Sequence, residues 1–190
     1  ERDHEATLAP MPFYLASQLE TDPSDLGPID GWLSEWKYDG TRAQLVRRGD
    51  DVAIWSRGEE LITHQFPEIA AAAAGLPEDL TLDGEILIWG DNGPRPFAEL
   101  QKRLNRKTAP TPQLGLFQAD RVVFMAFDLL VRTGDDLRER PQTERRAMLE
   151  RLVPNDPGDT ILLSPLVDAR SWEDLAELRA SSRDRGVEGL

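Results

Sequence analysis

The octapeptide Glu35-Trp36-Lys37-Tyr38-Asp39-Gly40-Thr41-Arg42 holds the densest chemistry in the chain. On an extended strand Lys37 and Asp39 point to one face, so an ammonium and a carboxylate share a pocket floor, and Gly40 lets the backbone turn before Arg42. Of the 22 basic residues only three are lysine, at positions 37, 102 and 107, and the rest are arginine. A lysine in such a chain marks a place where arginine cannot serve, chiefly where an amine must shed its proton and attack an electrophile. An ordinary lysine is neutral roughly one time in a thousand near pH 7.4, so a nucleophilic one needs burial and neighbouring cations. Glu85, after Asp83 and Gly84, and Glu188 offer hard oxygens suited to magnesium or to ribose hydroxyls. Arg42 and Arg57 are forked donors suited to ribose or phosphate. The two histidines, His4 and His64, are too few and too far away to support a histidine mechanism.

The elements that must carry these residues are legible from periodicity and punctuation. Strands are expected at 32–38, 43–48 and 52–57, the last two joined by Gly49-Asp50-Asp51 as a hairpin. A helix at 67–74 starts at a proline, contains five consecutive alanines and stops at Gly75. A strand at 81–89 ends at Asp91-Asn92-Gly93-Pro94, and Phe97, Leu100 and Leu104 set one face of a helix running to about Asn105. The outward side of that helix and its sequel carries Lys102, Arg103, Arg106 and Lys107, a candidate DNA-backbone contact. The strongest apolar strand is 122–130. Helices follow at 141–152 and 171–185, the second capped by Ser171 with Asp174 three residues on. Val187 to Leu190 read as the start of a further strand. Strands in hairpin runs, interrupted by helices, predict an α+β layered domain.

Composition bounds the rest. At 190 residues the chain fits one domain with a real core. The absence of cysteine excludes disulfides, thiolate metal sites and cysteine nucleophiles. No apolar run reaches the roughly 18 residues of a membrane span, and the acidic opening is not that of an export signal. A net charge of -13 rules out a wholly basic nucleic-acid-binding surface, so a polyanion must meet a local patch.

Lys37-Tyr38-Asp39-Gly40-Thr41-Arg42 resembles the Lys-x-Asp-Gly-x-Arg nucleotidyltransferase motif of ATP-dependent DNA ligases and mRNA capping enzymes. Further elements fall in register with it. Ser56-Arg57 with Glu59, Asp83-Gly84-Glu85, the aromatic strand Phe124-Met125-Ala126-Phe127-Asp128, and Glu188-Gly189-Leu190 resemble the family's later motifs in their order. The resemblance covers residues 30 to 190 and points to bacterial ATP-dependent DNA ligases, and among them to the cisplatin damage response subgroup. It implies an antiparallel-rich nucleotidyltransferase fold flanked by helices. In that arrangement 1–30 is a connecting segment packed on the domain, and 31–190 is an adenylation domain cut short at its C-terminus.

The same resemblance implies roles. Lys37 attacks the α-phosphate of ATP, and AMP passes to the 5′-phosphate of a DNA nick. Glu35, Trp36, Arg42, Arg57, Glu85 and Phe127 bind the nucleotide, with Phe127 stacked on adenine and Glu35 at its edge. Glu85 and Glu188 hold magnesium or the ribose hydroxyls. The partner is nicked double-stranded DNA, gripped mainly by flanking domains, and the expected protein is a monomer of the bacterial cytoplasm, associated with the nucleoid and not with a membrane. Lys37 to Arg42 would equally serve an RNA ligase or a GTP-using capping guanylyltransferase, and a non-catalytic nucleotide- or nick-binding module is the alternative from another class.

Overall fold

The computed structural model describes residues 8–77, 79–105, 120–153, 156 and 158–190. In chain order the elements are β1 (Lys37–Tyr38), β2 (Thr41–Arg48), β3 (Asp51–Ser56), α1 (Pro67–Ala74), β4 (Leu80–Gly90), β5 (Gly93–Pro94), α2 (Phe97–Leu104), β6 (Arg121–Arg132), β7 (Asp135–Asp136), α3 (Gln142–Leu152), β8 (Ile161–Leu163), α4 (Trp172–Ala180) and β9 (Val187–Gly189). The main sheet runs β3-β2-β4-β6-β7, with β5 on β4 and β8 on β6. Its pairings are antiparallel apart from β6 with β8. A two-stranded ribbon, β1 with β9, stands beside it and pairs Lys37 with Gly189.

Strand alternation divides the work between the two faces of the sheet. Leu82, Ile86, Phe124, Ala126 and Leu129 turn one way and form the main core with Ile69 of α1, Leu100 of α2, and Leu149 and Leu152 of α3. Residues at the alternate positions, among them Arg42, Asp83, Glu85 and Phe127, turn the other way. Leu87, Val123, Met125 and Leu162 also make a small second cluster, with Tyr38 and Trp89 against it. Two glycines permit close approaches that a side chain would block. A Cβ on Gly40 would lie 2.3 Å from Ile86 O, and one on Gly84 would lie 2.5 Å from Phe124 Cε1. The turn after Lys37 is thereby held flush against β4.

Two expected elements are shorter than the pattern suggests. Of 32–38 only Lys37 and Tyr38 form a strand. Glu35 makes a lone bridge to Leu166, and Val167 N donates to Ser34 O at 2.7 Å, so 34–35 pair with a loop and not with a sheet. The helix expected at 171–185 is α-helical only to Ala180. The Ser181 and Ser182 hydroxyls donate back to Leu178 O and Arg179 O, competing with the backbone, and a 3-10 turn at Arg183–Arg185 follows. At its start the expected cap is in place: Ser171 Oγ accepts from Asp174 N at 3.1 Å, and Asp174 Oδ2 accepts from Arg170 N at 2.9 Å. Strands β5, β7 and β8 have too few residues to show a period. Among the described residues, no helix is long and apolar enough to cross a membrane.

The segment before residue 30 is tied to the sheet through its backbone. Trp55 Nε1 donates to Leu8 O at 2.7 Å, and the buried Gln44 amide both accepts from Met11 N and donates to Met11 O. The Phe13 ring then comes to 5.9 Å from Arg42 Cζ.

Candidate nucleotide site

The open face of the sheet, the β1–β9 ribbon and the 8–16 segment enclose a cavity of about 870 Å³. Its wall includes Glu35, Trp36, Lys37, Arg42, Arg57, Glu85, Phe127 and Glu188, so residues as far apart in sequence as 35 and 188 converge. Lys37 arrives on β1, Glu85 on β4, Phe127 on β6 and Glu188 on β9. Asp39 lines the same space.

Part of the cavity wall is loosely paired. The Lys37 ammonium meets the Glu188 carboxylate, and both side chains are about half exposed. Arg57 reaches the cavity with no side-chain partner among the described residues. Burial pushes the Glu85 carboxyl up to about 7; the nearby Arg42 and Lys37 charges pull it down, and Asp83 pushes it further up.

Another part of the wall is tightly bonded. Arg42 grips buried Asp83 with two parallel bonds, Nε to Oδ1 at 3.1 Å and Nη2 to Oδ2 at 2.9 Å. Its Cζ also lies 5.4 Å from the Phe127 ring. Arg42, read from the sequence as a forked donor for ribose or phosphate, commits two of its three nitrogens to Asp83. Burial raises the Asp83 carboxyl although Arg42 works against it. Next along β6, Asp128 is held in the same forked way by Arg145 of α3, at 2.9 and 3.1 Å. Glu35 receives Arg146 Nη1 at 2.9 Å, and burial raises its carboxyl above the ordinary range. Tyr38, half-buried and facing the Glu35 charge, is pushed up to about 12, chiefly by that burial. Trp36 packs under Arg185, whose Cζ is 5.0 Å from its ring centroid.

The expected basic face of α2 needs correction. Arg103 does not point outward: it donates to Gln65 O and Glu68 and lies 5.3 Å from the Phe66 ring, fastening α2 to the turn before α1. The long side chain covers apolar surface that an outward orientation would leave wet. Lys102 is exposed and pairs with Glu99 at 2.6 Å. Arg106 and Lys107 lie outside the described residues. Conversely, Leu15 and Ser164 line the cavity, while Phe13, Arg145 and Arg146 contact Arg42, Asp128 and Glu35, and none of the five stood out as a site residue in the sequence. Each is an ordinary residue of a loop or helix until folding brings it to these partners.

The comparisons with known proteins agree with this geometry. The family described as "ATP dependent DNA ligase domain" matches residues 15–190. A probable DNA ligase of Opitutus terrae is 40% identical over 186 residues, covering 84% of this chain and 18% of that protein. A probable DNA ligase of Koribacter versatilis is 36% identical, with 95% and 34% covered. For DNA ligase C2 of Mycolicibacterium smegmatis the figures are 40% identity, 75% and 40%. The chain thus spans well under half the length of these relatives. Among solved structures, the ligase domain of M. tuberculosis LigD superposes with a TM-score of 0.62 at 27% identity, over 83% of this chain and 46% of that one. A mycobacterial DNA ligase D complexed with ATP and MES gives 0.59 at 26%, with the same coverage. These names carry the ligase assignment and do not single out a damage-response subgroup. With a family match over nearly its whole length and a nucleotidyltransferase fold, the chain belongs to the ATP-dependent DNA ligase domain family.

Proposed function

We propose that this domain charges itself with AMP on Lys37 and hands the AMP to a DNA nick. Lys37 Nζ attacks the α-phosphorus of ATP, a P–N bond forms, the P–O bond to pyrophosphate breaks, and the amine gives up its proton, for which Glu188 is the acceptor at hand. The 5′-phosphate of the nick then takes AMP from the lysine, and the 3′-hydroxyl displaces it to close the strand. The observation that carries the proposal is the convergence on one cavity of the rare lysine, a base-sized aromatic and an arginine with no side-chain partner among the described residues.

Each wall residue has a part. Phe127 stacks on adenine, Glu35 meets its edge, and Trp36 backs the ribbon that presents Lys37. Arg57 takes phosphate oxygens, while Arg42, held by Asp83, keeps one nitrogen for the nucleotide. The donor set suits a magnesium ion held mainly by the nucleotide. Among the described residues no group of three or more His, Cys, Asp or Glu converges, but Glu85 and Glu188 flank Lys37, and magnesium is bound by one or two carboxylates plus substrate phosphates. Glu85 and Glu188 would hold it, and it would neutralise charge on the phosphates. DNA contact by this domain rests on Lys102, with Arg106 and Lys107 as proposals outside the described residues. With a charge of -13, the domain is expected to bind nicked duplex weakly by itself at physiological salt.

The test is intact-protein mass spectrometry after incubation with ATP and magnesium. A mass gain of one AMP, lost in Lys37→Arg while the far-UV and near-UV spectra stay unchanged, is expected, because a guanidinium remains protonated and cannot attack phosphorus. An adduct on the arginine variant would place the nucleophile elsewhere. ATP binding without any adduct would leave a non-catalytic nucleotide module.

A further inference from the structure

One side chain ties the base end of the cavity to α3. Arg146 is 6% exposed, and it spends its guanidinium on three acceptors: Glu35 Oε1 at 2.9 Å, Ser164 O at 2.8 Å and Glu150 Oε1 at 2.7 Å. An arginine that merely fastened a helix could do so through Glu150 and the Ser164 carbonyl. The third bond reaches a carboxylate in the cavity wall, 111 residues away in sequence. Glu35, Ser164 and Phe127 are brought to one end of the cavity by the chain itself: Ser164 N donates to Ala126 O beside Phe127, and Glu35 bridges to Leu166 two residues past Ser164.

Resting on the reading of Glu35 as the adenine-edge residue, we infer that Arg146 is a positioning residue that sets the preference for adenine over guanine by fixing Glu35 as an acceptor-only carboxylate. Adenine presents an exocyclic amine where guanine presents a carbonyl oxygen. An ionised carboxylate takes the first and repels the second, whereas a protonated one can donate to that carbonyl. The surroundings of Glu35 favour protonation: burial is the largest influence, and Asp128 adds to it. The Ser164 hydrogen bond and Arg146 oppose them. Without Arg146 the side chain loses both its orientation and its one cationic neighbour among the groups that act on it.

The experiment is displacement of a fluorescent ATP analogue from the 190-residue chain by ATP and by GTP, which needs no chemistry at Lys37. Wild type is expected to favour ATP. Arg146→Met is expected to lose at least about tenfold of that ratio, mainly through tighter GTP binding. Arg146→Lys, which keeps a cation, is expected to retain the ratio within about threefold, and Glu150→Gln, which disturbs the same arginine on the side away from the cavity, to leave it alone. Should the methionine variant not fold, Arg146→Gln replaces it with the same expected loss. A folded Met or Gln variant with the wild-type ratio overturns the inference, as does an equal loss of affinity for both nucleotides. If wild type shows no ATP preference, or Glu35→Gln leaves it untouched, the adenine-edge reading of Glu35 falls, a result distinct from failure of Arg146 alone.

Discussion

The two ends of the cavity are built on opposite terms. At the Phe127 end, Asp83, Asp128 and Glu35 are buried or half-buried, and each is gripped by its own arginine: Arg42, Arg145 and Arg146. At the Lys37 end, the lysine and Glu188 are 53% and 43% exposed. A buried forked pair cannot be opened without stranding a charge, while an exposed pair is worth little and exchanges readily for a new partner. The difference teaches that one end is rigid before ligand arrives and the other is left to be organised by it. Such a division suits a site that must recognise one invariant group and then let the other part of the ligand react.

The largest effect is expected where the rigid end is broken. Asp83→Ala leaves the Arg42 fork without its partner and should cost about 3 kcal/mol of stability in denaturant titration. A loss below about 1 kcal/mol would mean that the pair is no firmer than one on the surface.

Glu85, between the two ends, gives a pH-dependent effect. Its carboxyl, raised by burial from 4.5 to about 7, binds its proton more tightly in the folded chain than in the unfolded one. That contribution is complete below about pH 4.5 and is lost as pH climbs through 7. Relative to Glu85→Gln, wild type should therefore lose on the order of 2 kcal/mol between pH 4.5 and 8. Denaturant curves of both proteins at the two pH values check this, and a gap independent of pH would refute it.

Phe127→Ala should weaken ATP binding by about 1 to 3 kcal/mol, the range for losing a base-stacking ring, as read by calorimetry. Unchanged affinity with a lowered melting temperature would make Phe127 a packing residue and remove the recognition role from the rigid end. The smallest effect belongs to the loose end: Glu188→Gln should change stability by less than about 1 kcal/mol, since its pair with Lys37 is exposed. A larger loss would contradict the contrast itself.

Much of this was legible in local sequence. Strand alternation and glycine placement mark Lys37-x-Asp39-Gly40, whereas Asp83-Gly84-Glu85 and Phe127 stood out through the resemblance of their motifs to the family's, taken in order. The hairpin after β2, helix α1 and the cap of α4 were also plain, each specified by a turn residue, a proline or a serine within a few positions. Where the pattern misled, a distant partner had intervened. Residues 32–36 are apolar enough for a strand, but the backbone at 34–35 bonds to 166–167. Arg103 has the spacing of a solvated face, and Phe66 with Glu68 draws it inward.

By itself, then, the sequence determined the candidate nucleophile, the order of the motifs and which residues alternate toward one face, since these depend on residue type and on separations of a few positions. Only the tertiary structure decided which carboxylates are locked and which are free. Arg145 and Arg146 are adjacent on one helix turn and indistinguishable as text, yet one secures Asp128 and the other Glu35. The choice follows from how α3 lies on β6 and from burial that makes each unpaired charge costly, and both are properties of packing between segments far apart in the chain.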